Sequence, residues 1–203
     1  MPAVGTSMPI SVWLMPPSGL PLSNHPPTSS RSTLIAAMEP LAKAYTDGCG
    51  VQHREVPVFE PHVTLFNTEE LSAEDAAARL QTLRGTGPVG ISFTEISTGD
   101  PETGTAPWCQ TCVAVVRETP QLVELQRRLF CAFQGSGAGA QAPLWAPPLR
   151  KPHLSLAYGS APSVLAEVQV PAPFVADSLA IWDCCPATLE GVSGWHEISR
   201  VPL

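Results

Sequence analysis

Two short stretches decide the reading, Phe59-Glu60-Pro61-His62-Val63-Thr64-Leu65 and Pro152-His153-Leu154-Ser155-Leu156-Ala157-Tyr158. Each holds Pro-His-apolar-Ser/Thr-apolar, a pattern that this composition would produce about 0.02 times per chain by chance, so two copies are not an accident. The spacing is that of a strand, in which alternate side chains share a face. His62 and Thr64 therefore project together while Val63 and Leu65 turn toward a core, and His153 and Ser155 do the same over Leu154 and Leu156. Proline fits at the first position of each, where its missing N–H is tolerated.

Each copy presents an imidazole beside a hydroxyl. Two such strands meeting in one cleft would set two imidazoles and two hydroxyls around a single tetrahedral anion. Opening a cyclic phosphodiester needs a base for the attacking water, an acid for the departing ribose oxygen and donors for the nonbridging oxygens. Histidine suits both proton roles because its unperturbed pKa is ~6.5. A pair starting there predicts a bell-shaped rate profile with its maximum between about pH 6 and 7.5. A lone strand histidine is more often structural, and it is the repeat that singles out these two. His25, His53 and His196 sit in no repeat and are expected on the surface or in loops.

Outward from the motifs, the chain alternates elements. Ile10 to Met15 is a strand, and Ser30 opens a helix that ends at Gly48. A strand follows around residues 62–66. Ser72 and Asp75 form a short-armed capping box for a helix over residues 76–83, stopped by Gly85 and Gly87. Residues 91–96 and 111–116 are strands. Thr119-Pro120 starts a helix whose stripe is Leu122, Leu125, Leu129 and Phe133. Strands are expected at 153–158, 174–182 and 195–201, with a weaker helical piece at 163–168. The Gly/Ala-rich stretch 135–143 is a loop. This order is α+β, in two similar halves.

Composition sets bounds on the function. The 203 residues suit one domain or two fused lobes, with 44% hydrophobic and 14% charged residues excluding a disordered chain. No apolar run approaches the ~20 residues of a membrane span. The opening MPAVGTSMPISVWLMPP has no Lys or Arg before its apolar stretch, which Pro16 and Pro17 break, so a cytoplasmic protein without a secretory signal is expected. A formal net charge of −7 argues against a long phosphate-tracking surface and a stable nucleic-acid complex. Arg150-Lys151 beside His153 could still serve a small anion. The six cysteines, Cys49, Cys109, Cys112, Cys131, Cys184 and Cys185, are expected as free thiols. Cys109-x-x-Cys112 lacks a second zinc half-site, so no metal and no cofactor are expected. Any of Trp13, Trp108, Trp145, Trp182 and Trp195 could stack a nucleobase, and the loop residues Trp108 and Trp145 are favoured.

FEPHVTL and PHLSLAY resemble the two signature motifs of the two-histidine (2H) phosphoesterase superfamily, and the chain is most similar within it to plant and fungal cyclic nucleotide phosphodiesterases. SVWLMPP at 11–17, Ile96-Ser97-Thr98-Gly99, Gln110, Thr119-Pro120 and Gly194-Trp195-His196-Glu197 also fall where that family has like residues, so the likeness runs from Ile10 to the C-terminus. The loop 99–107 and the Gly/Ala-rich insertion before Leu144 are this chain's own.

The resemblance implies a single bilobal domain over residues 1–203, with two antiparallel sheets lining a central cleft, helices outside and one motif in each lobe. It implies metal-independent hydrolysis of nucleoside 2′,3′-cyclic phosphates to 2′-phosphates and of ADP-ribose 1″,2″-cyclic phosphate, as in tRNA splicing and RNA metabolism, by a monomer. His62 and His153 would be catalytic, and Thr64, Ser155 and Tyr158 would hold the phosphate. It further implies that His153 activates water and His62 protonates the leaving oxygen. Two other readings share these residues: a 2′-5′ RNA ligase or RNA-end phosphodiesterase of the same superfamily, and a nonenzymatic nucleotide-binding module.

Overall fold

A strand that is apolar at nearly every position must be covered on both faces, and Ile10–Met15 (β1) is buried throughout. It lies inside a seven-stranded antiparallel sheet in a computed structural model that describes residues 10–17, 29–48, 58–68, 71–97, 110–134, 152–158, 168–186, 188 and 191–203. The chain continues through helix α1 (Arg31–Gly48), β2 (Val63–Thr68), α2 (Ala73–Gln81), β3 (Val89–Ile91), β4 (Phe93–Ser97), β5 (Gln110–Val116), α3 (Pro120–Gln134), β6 (His153–Tyr158), β7 (Phe174–Ala176), β8 (Ser178–Asp183) and β9 (His196–Pro202). The large sheet has the order β4-β5-β6-β2-β1-β8-β9, and β3 pairs with β7 in a small second sheet. The expected α+β class is therefore found.

The two expected motif-bearing sheets are joined edge to edge. Strands β4-β5-β6 carry the second motif and β2-β1-β8-β9 the first, and they meet where β2 pairs with β6 through one register pair, Val63 opposite Leu154. Two expected strands are each broken once, at Ser92 and at Asp177. The breaks belong together, because the pieces before them, β3 and β7, leave the large sheet to pair with each other. The interrupted carbonyls stay satisfied: Arg117 N donates to Ser92 O at 2.8 Å and Leu203 N to Asp177 O at 2.8 Å.

The helices begin where their caps dictate. Ser72 Oγ accepts from Asp75 N at 3.1 Å and donates to Asp75 Oδ2 at 2.8 Å. Thr119 Oγ1 accepts from Leu122 N at 3.2 Å, and Ser30 N donates to Thr33 Oγ1 at 2.8 Å. After α2, Gly85 and Gly87 take φ of +72° and +94°, values that a side chain would strain. The α3 stripe of Leu122, Leu125, Leu129 and Phe133 is buried as its spacing requires. α1 packs on β6, α2 on β8 and β9, and α3 on β2. Their apolar faces share one core with Ile10, Val12, Leu14, Val63, Leu154, Leu179 and Ile181.

The opposite parity of the central strands forms a separate cluster of Trp13, Met15, Ala180 and Cys184, with Trp182 and Trp195 against it. No helix of the described residues is long and apolar enough to cross a membrane. The loop 135–143 and most of the helical piece expected at 163–168 lie outside the described residues.

Leu154 is fully buried at the seam between the halves. Leu154→Ala should cost about 2–5 kcal/mol in urea unfolding, and a loss below about 1 kcal/mol would show that the seam carries little of the stability.

Candidate active site

His62 ends the segment before β2, and His153 is the first residue of β6. Antiparallel pairing fixes what surrounds them. With Val63 opposite Leu154, extending the register by one residue in each direction sets Thr64 across from His153 and His62 across from Ser155. All four project from the face opposite Val63 and Leu154. The structure thus brings the predicted quartet onto one face of the sheet, at the seam of its halves.

Both motif strands carry a bulge at the same place. Val12 faces Phe66 and Trp13 faces Thr64, which leaves Leu65 as the extra residue on β2. Cys112 faces Ala157 and Val113 faces Ser155, which leaves Leu156 extra on β6. A bulge resets the alternation beyond it. In β2 it turns Phe66 into the helical core, against Phe133 with centroids 5.2 Å apart. In β6 it returns Tyr158 to the face of His153 and Ser155, which five residues of regular strand would have denied it. Tyr158 packs there on Phe59 at 4.5 Å and edge-on to Trp195 at 6.0 Å.

The quartet is unevenly exposed. His62 and Ser155 are each 2% exposed, whereas Thr64 and His153 are half-buried. The His62 ring lies flat on Trp13, with centroids 3.4 Å apart and planes 5° apart, and Phe59 closes its edge at 6.1 Å. Behind Trp13, Trp182 stacks at 4.5 Å, and Trp13 Nε1 donates to Ser11 Oγ at 2.6 Å. His62 Nδ1 donates to the Glu60 carbonyl at 2.7 Å. The Glu60 carboxylate is gripped by Arg31 of α1, Nε to Oε1 at 2.5 Å and Nη2 to Oε2 at 2.6 Å, so the segment bearing this carbonyl is tied to the first turn of a helix.

Burial pushes the His62 imidazole down to about 3, the Glu60 hydrogen bond opposing this and the charge of His153 adding to it. The two histidines therefore do not start from a common value near ~6.5, as the sequence predicts. Burial among Trp13 and Phe59 is what removes His62 from that starting value.

The favoured tryptophans, Trp108 and Trp145, lie outside the described residues, as do Arg150-Lys151, His25 and His53. Trp13 and Trp195 stand at the quartet instead. The signal for Trp13 is in the sequence: Ile10, Val12 and Leu14 are the core parity of β1, and Ser11 and Trp13 are its other parity, shared with Thr64. His196 is exposed, as expected. Cys112, Cys131, Cys184 and Cys185 are free thiols, and burial pushes Cys112 up to about 11 and Cys184 up to about 12. Among the described residues no group of three His, Cys, Asp or Glu is placed to hold a metal ion. The buried Trp182 Nε1 finds no partner among them.

The fold is similar to those of solved phosphoesterases, LigT among them. TT0787 of Thermus thermophilus is similar with a TM-score of 0.58 at 19% identity, covering 97% of this chain and 98% of that one. A solved phosphoesterase is similar at 0.54 and 14%, covering 97% and 98%. LigT of E. coli complexed with 3′-AMP is similar at 0.53 and 13%, covering 97% of each. Residues 26–183 match the 2′-5′ RNA ligase superfamily, and the chain belongs to that family. No curated protein sequence matches it significantly.

Holding His62 neutral makes stability depend on pH. Between about pH 6.5 and 3 the unfolded chain binds a proton that the folded chain refuses, so stability is present above this window and is lost as pH falls through it. Urea unfolding at pH 7 and pH 5 should show the wild type losing about 2 kcal/mol more than His62→Gln on acidification, at ~1.4 kcal/mol per pH unit below ~6.5. Equal losses in the two proteins would mean that His62 is not held neutral.

Proposed function

We propose that this chain hydrolyses ribose cyclic phosphates without a metal ion, converting nucleoside 2′,3′-cyclic phosphates to 2′-phosphates and ADP-ribose 1″,2″-cyclic phosphate to ADP-ribose 1″-phosphate. The observation that carries the proposal is the quartet itself. His62, Thr64, His153 and Ser155 share one face across a single register pair, an arrangement that suits two proton transfers and two donors at one phosphorus. Opposite positions in such a pair lie ~4.5–5.5 Å apart at Cβ, close enough for one phosphate to reach all four.

In this reading one imidazole takes the proton of the attacking water, and the other gives one to the departing ribose oxygen. Thr64 and Ser155 donate to the nonbridging oxygens, with Tyr158 beside them on the same face. The 3′-AMP bound by LigT is a ribose phosphate on the same fold, which supports a substrate of this size. The same reading makes residues 1–203 one bilobal domain, working as a cytoplasmic monomer on small molecules. A 2′-5′ RNA ligase would use the same quartet, and the family description favours it as the second reading. Net charge of −7 weighs against a protein that must grip polynucleotide.

The test is turnover of a nucleoside 2′,3′-cyclic phosphate against a matched RNA oligomer bearing a 2′,3′-cyclic end. Preferred opening of the mononucleotide, unchanged by excess EDTA, is expected. Preference for the oligomer, or joining of RNA ends without hydrolysis, would establish the second reading. Thr64→Ala and Ser155→Ala should each lose about 10²–10³-fold in kcat, the usual effect of a lost oxyanion donor, while Thr64→Ser stays mild. Wild-type rates in Thr64→Ala would assign that side chain to packing.

A further inference from the structure

The backbones of the two motif histidines are held in different ways. His153 is the first residue of β6 and lies in the ladder, opposite Val115 of β5. His62 stands outside it. β2 begins at Val63, opposite Leu14 and Leu154, and among the described residues no ladder pair holds Glu60, Pro61 or His62. Pro61 has no N–H to give to one, and it restricts Glu60 to extended backbone. The stretch leading into β2 therefore depends on anchors of another kind. Phe59 is one, buried against Tyr158 and the edge of His62. Arg31 is another. Its backbone N donates to Pro17 O at 3.2 Å, two residues beyond the end of β1, and its guanidinium takes both carboxylate oxygens of Glu60, at 2.5 and 2.6 Å. The start of α1 that carries Arg31 is itself tied down, Ser30 N donating to Thr33 Oγ1 at 2.8 Å and Ser29 N to Pro173 O at 2.8 Å. One residue thus joins the chain leaving the strand of Trp13 to the chain bringing in His62.

We propose that Arg31 is a positioning residue for His62, acting through Glu60 to fix the carbonyl that sets the tautomer and aim of the imidazole. That carbonyl accepts from His62 Nδ1 at 2.7 Å, which leaves the lone pair of the neutral ring on Nε2. The flat contact with Trp13 cannot make this choice, because an indole face is blind to which ring nitrogen carries the proton. Selection falls to the carbonyl, and the carbonyl is only as fixed as Glu60. Stability is a poor account of the ion pair, since the Arg31 side chain is 47% exposed and exposed pairs stabilise little. What a two-pronged guanidinium–carboxylate contact supplies is orientation, because both groups are planar and both hydrogen bonds must be met at once. The consequence for rate rests on the cyclic-phosphate reading, whereas the consequence for the His62 tautomer stands without it.

Two measurements on the full chain test this. Two-bond 1H–15N correlation spectra of labelled protein at pH 7, with His62 assigned by its loss in His62→Gln, should show Nδ1 protonated and Nε2 bare in the wild type. Arg31→Gln should draw the two His62 nitrogen shifts toward each other, the mark of mixed tautomers, and leave those of His153 in place. A bare Nδ1 in the wild type, or His62 shifts unmoved in Arg31→Gln, would overturn the proposal whatever the substrate. On a nucleoside 2′,3′-cyclic phosphate, Arg31→Gln should lower kcat by about 10–100-fold with KM within about twofold, because a misaimed group harms the chemical step and not the binding. Glu60→Ala, which keeps the carbonyl and loses the carboxylate, should do the same, and the double variant should be no worse than either alone, since the two act as one unit. A raised KM with unchanged kcat would put Arg31 on the substrate instead, and losses that multiply in the double variant would separate it from Glu60; either result overturns the proposal. If Arg31→Gln does not fold, Glu60→Ala carries both measurements. No turnover by the wild type would overturn the cyclic-phosphate reading alone, and the spectra would still decide the role of Arg31.

Discussion

The architecture hangs on one backbone pairing, Val63 opposite Leu154, where the edge of one half-sheet meets the edge of the other. Everything at the site follows from it. The pairing covers two edges that would otherwise expose unpaired N–H and C=O groups. It buries one aliphatic residue from each motif on the helical side. By the alternation of strands it then has no choice but to place the next residues, Thr64 with His153 and His62 with Ser155, together on the other side. Packing and chemistry are here two faces of the same constraint, and the apolar residues of the motifs are as necessary to the site as the polar ones.

The repeat goes deeper than residue type. Leu65 and Leu156, at corresponding positions of the two motifs, are both bulged residues, and both are buried in the common core. A bulge adds twist and reverses the alternation beyond it. Regular alternation therefore holds only across the His-x-Ser/Thr triplets that need it. Downstream the two strands diverge in use. One sends Phe66 to the helices, and the other sends Tyr158 to Phe59 and Trp195 beside the quartet. Two halves built alike thereby acquire unlike surroundings.

Much of this was legible in the sequence, for identifiable reasons. The helices declared themselves through local signals, Ser72 with Asp75 and Thr119 with Pro120, because caps and stripes act within a few residues. The quartet declared itself because alternation over three residues survives any fold. Two sheet breaks, at Ser92 and Asp177, were not legible, since they arise from β3 and β7 choosing each other over more than 80 residues of separation, about the span of a whole small domain. The His62–Trp13 stack was hidden for a similar reason. Which strand neighbours which decides it, and β1 lies beside β2 because β8 holds its other edge. Sequence favours loop tryptophans on general grounds, whereas the ring that meets the histidine comes from a strand buried at every position.

That burial sets a wall of aromatic rings, Trp13 and Trp182, behind His62. Among the described residues, the only cation bonded to the His62 segment is Arg31, and Glu60 already occupies it in a two-pronged contact. In the proposed reaction a neutral, desolvated imidazole backed by Trp13 and Trp182 would meet the singly charged phosphodiester. A second cation placed there would hold the ground-state anion as firmly as the transition state and so would add to binding more than to rate. The flat ring contact instead strengthens when His62 becomes charged, since an indole face attracts a cation. A sealed His62 and a half-open His153 thus set two otherwise identical side chains in unlike surroundings.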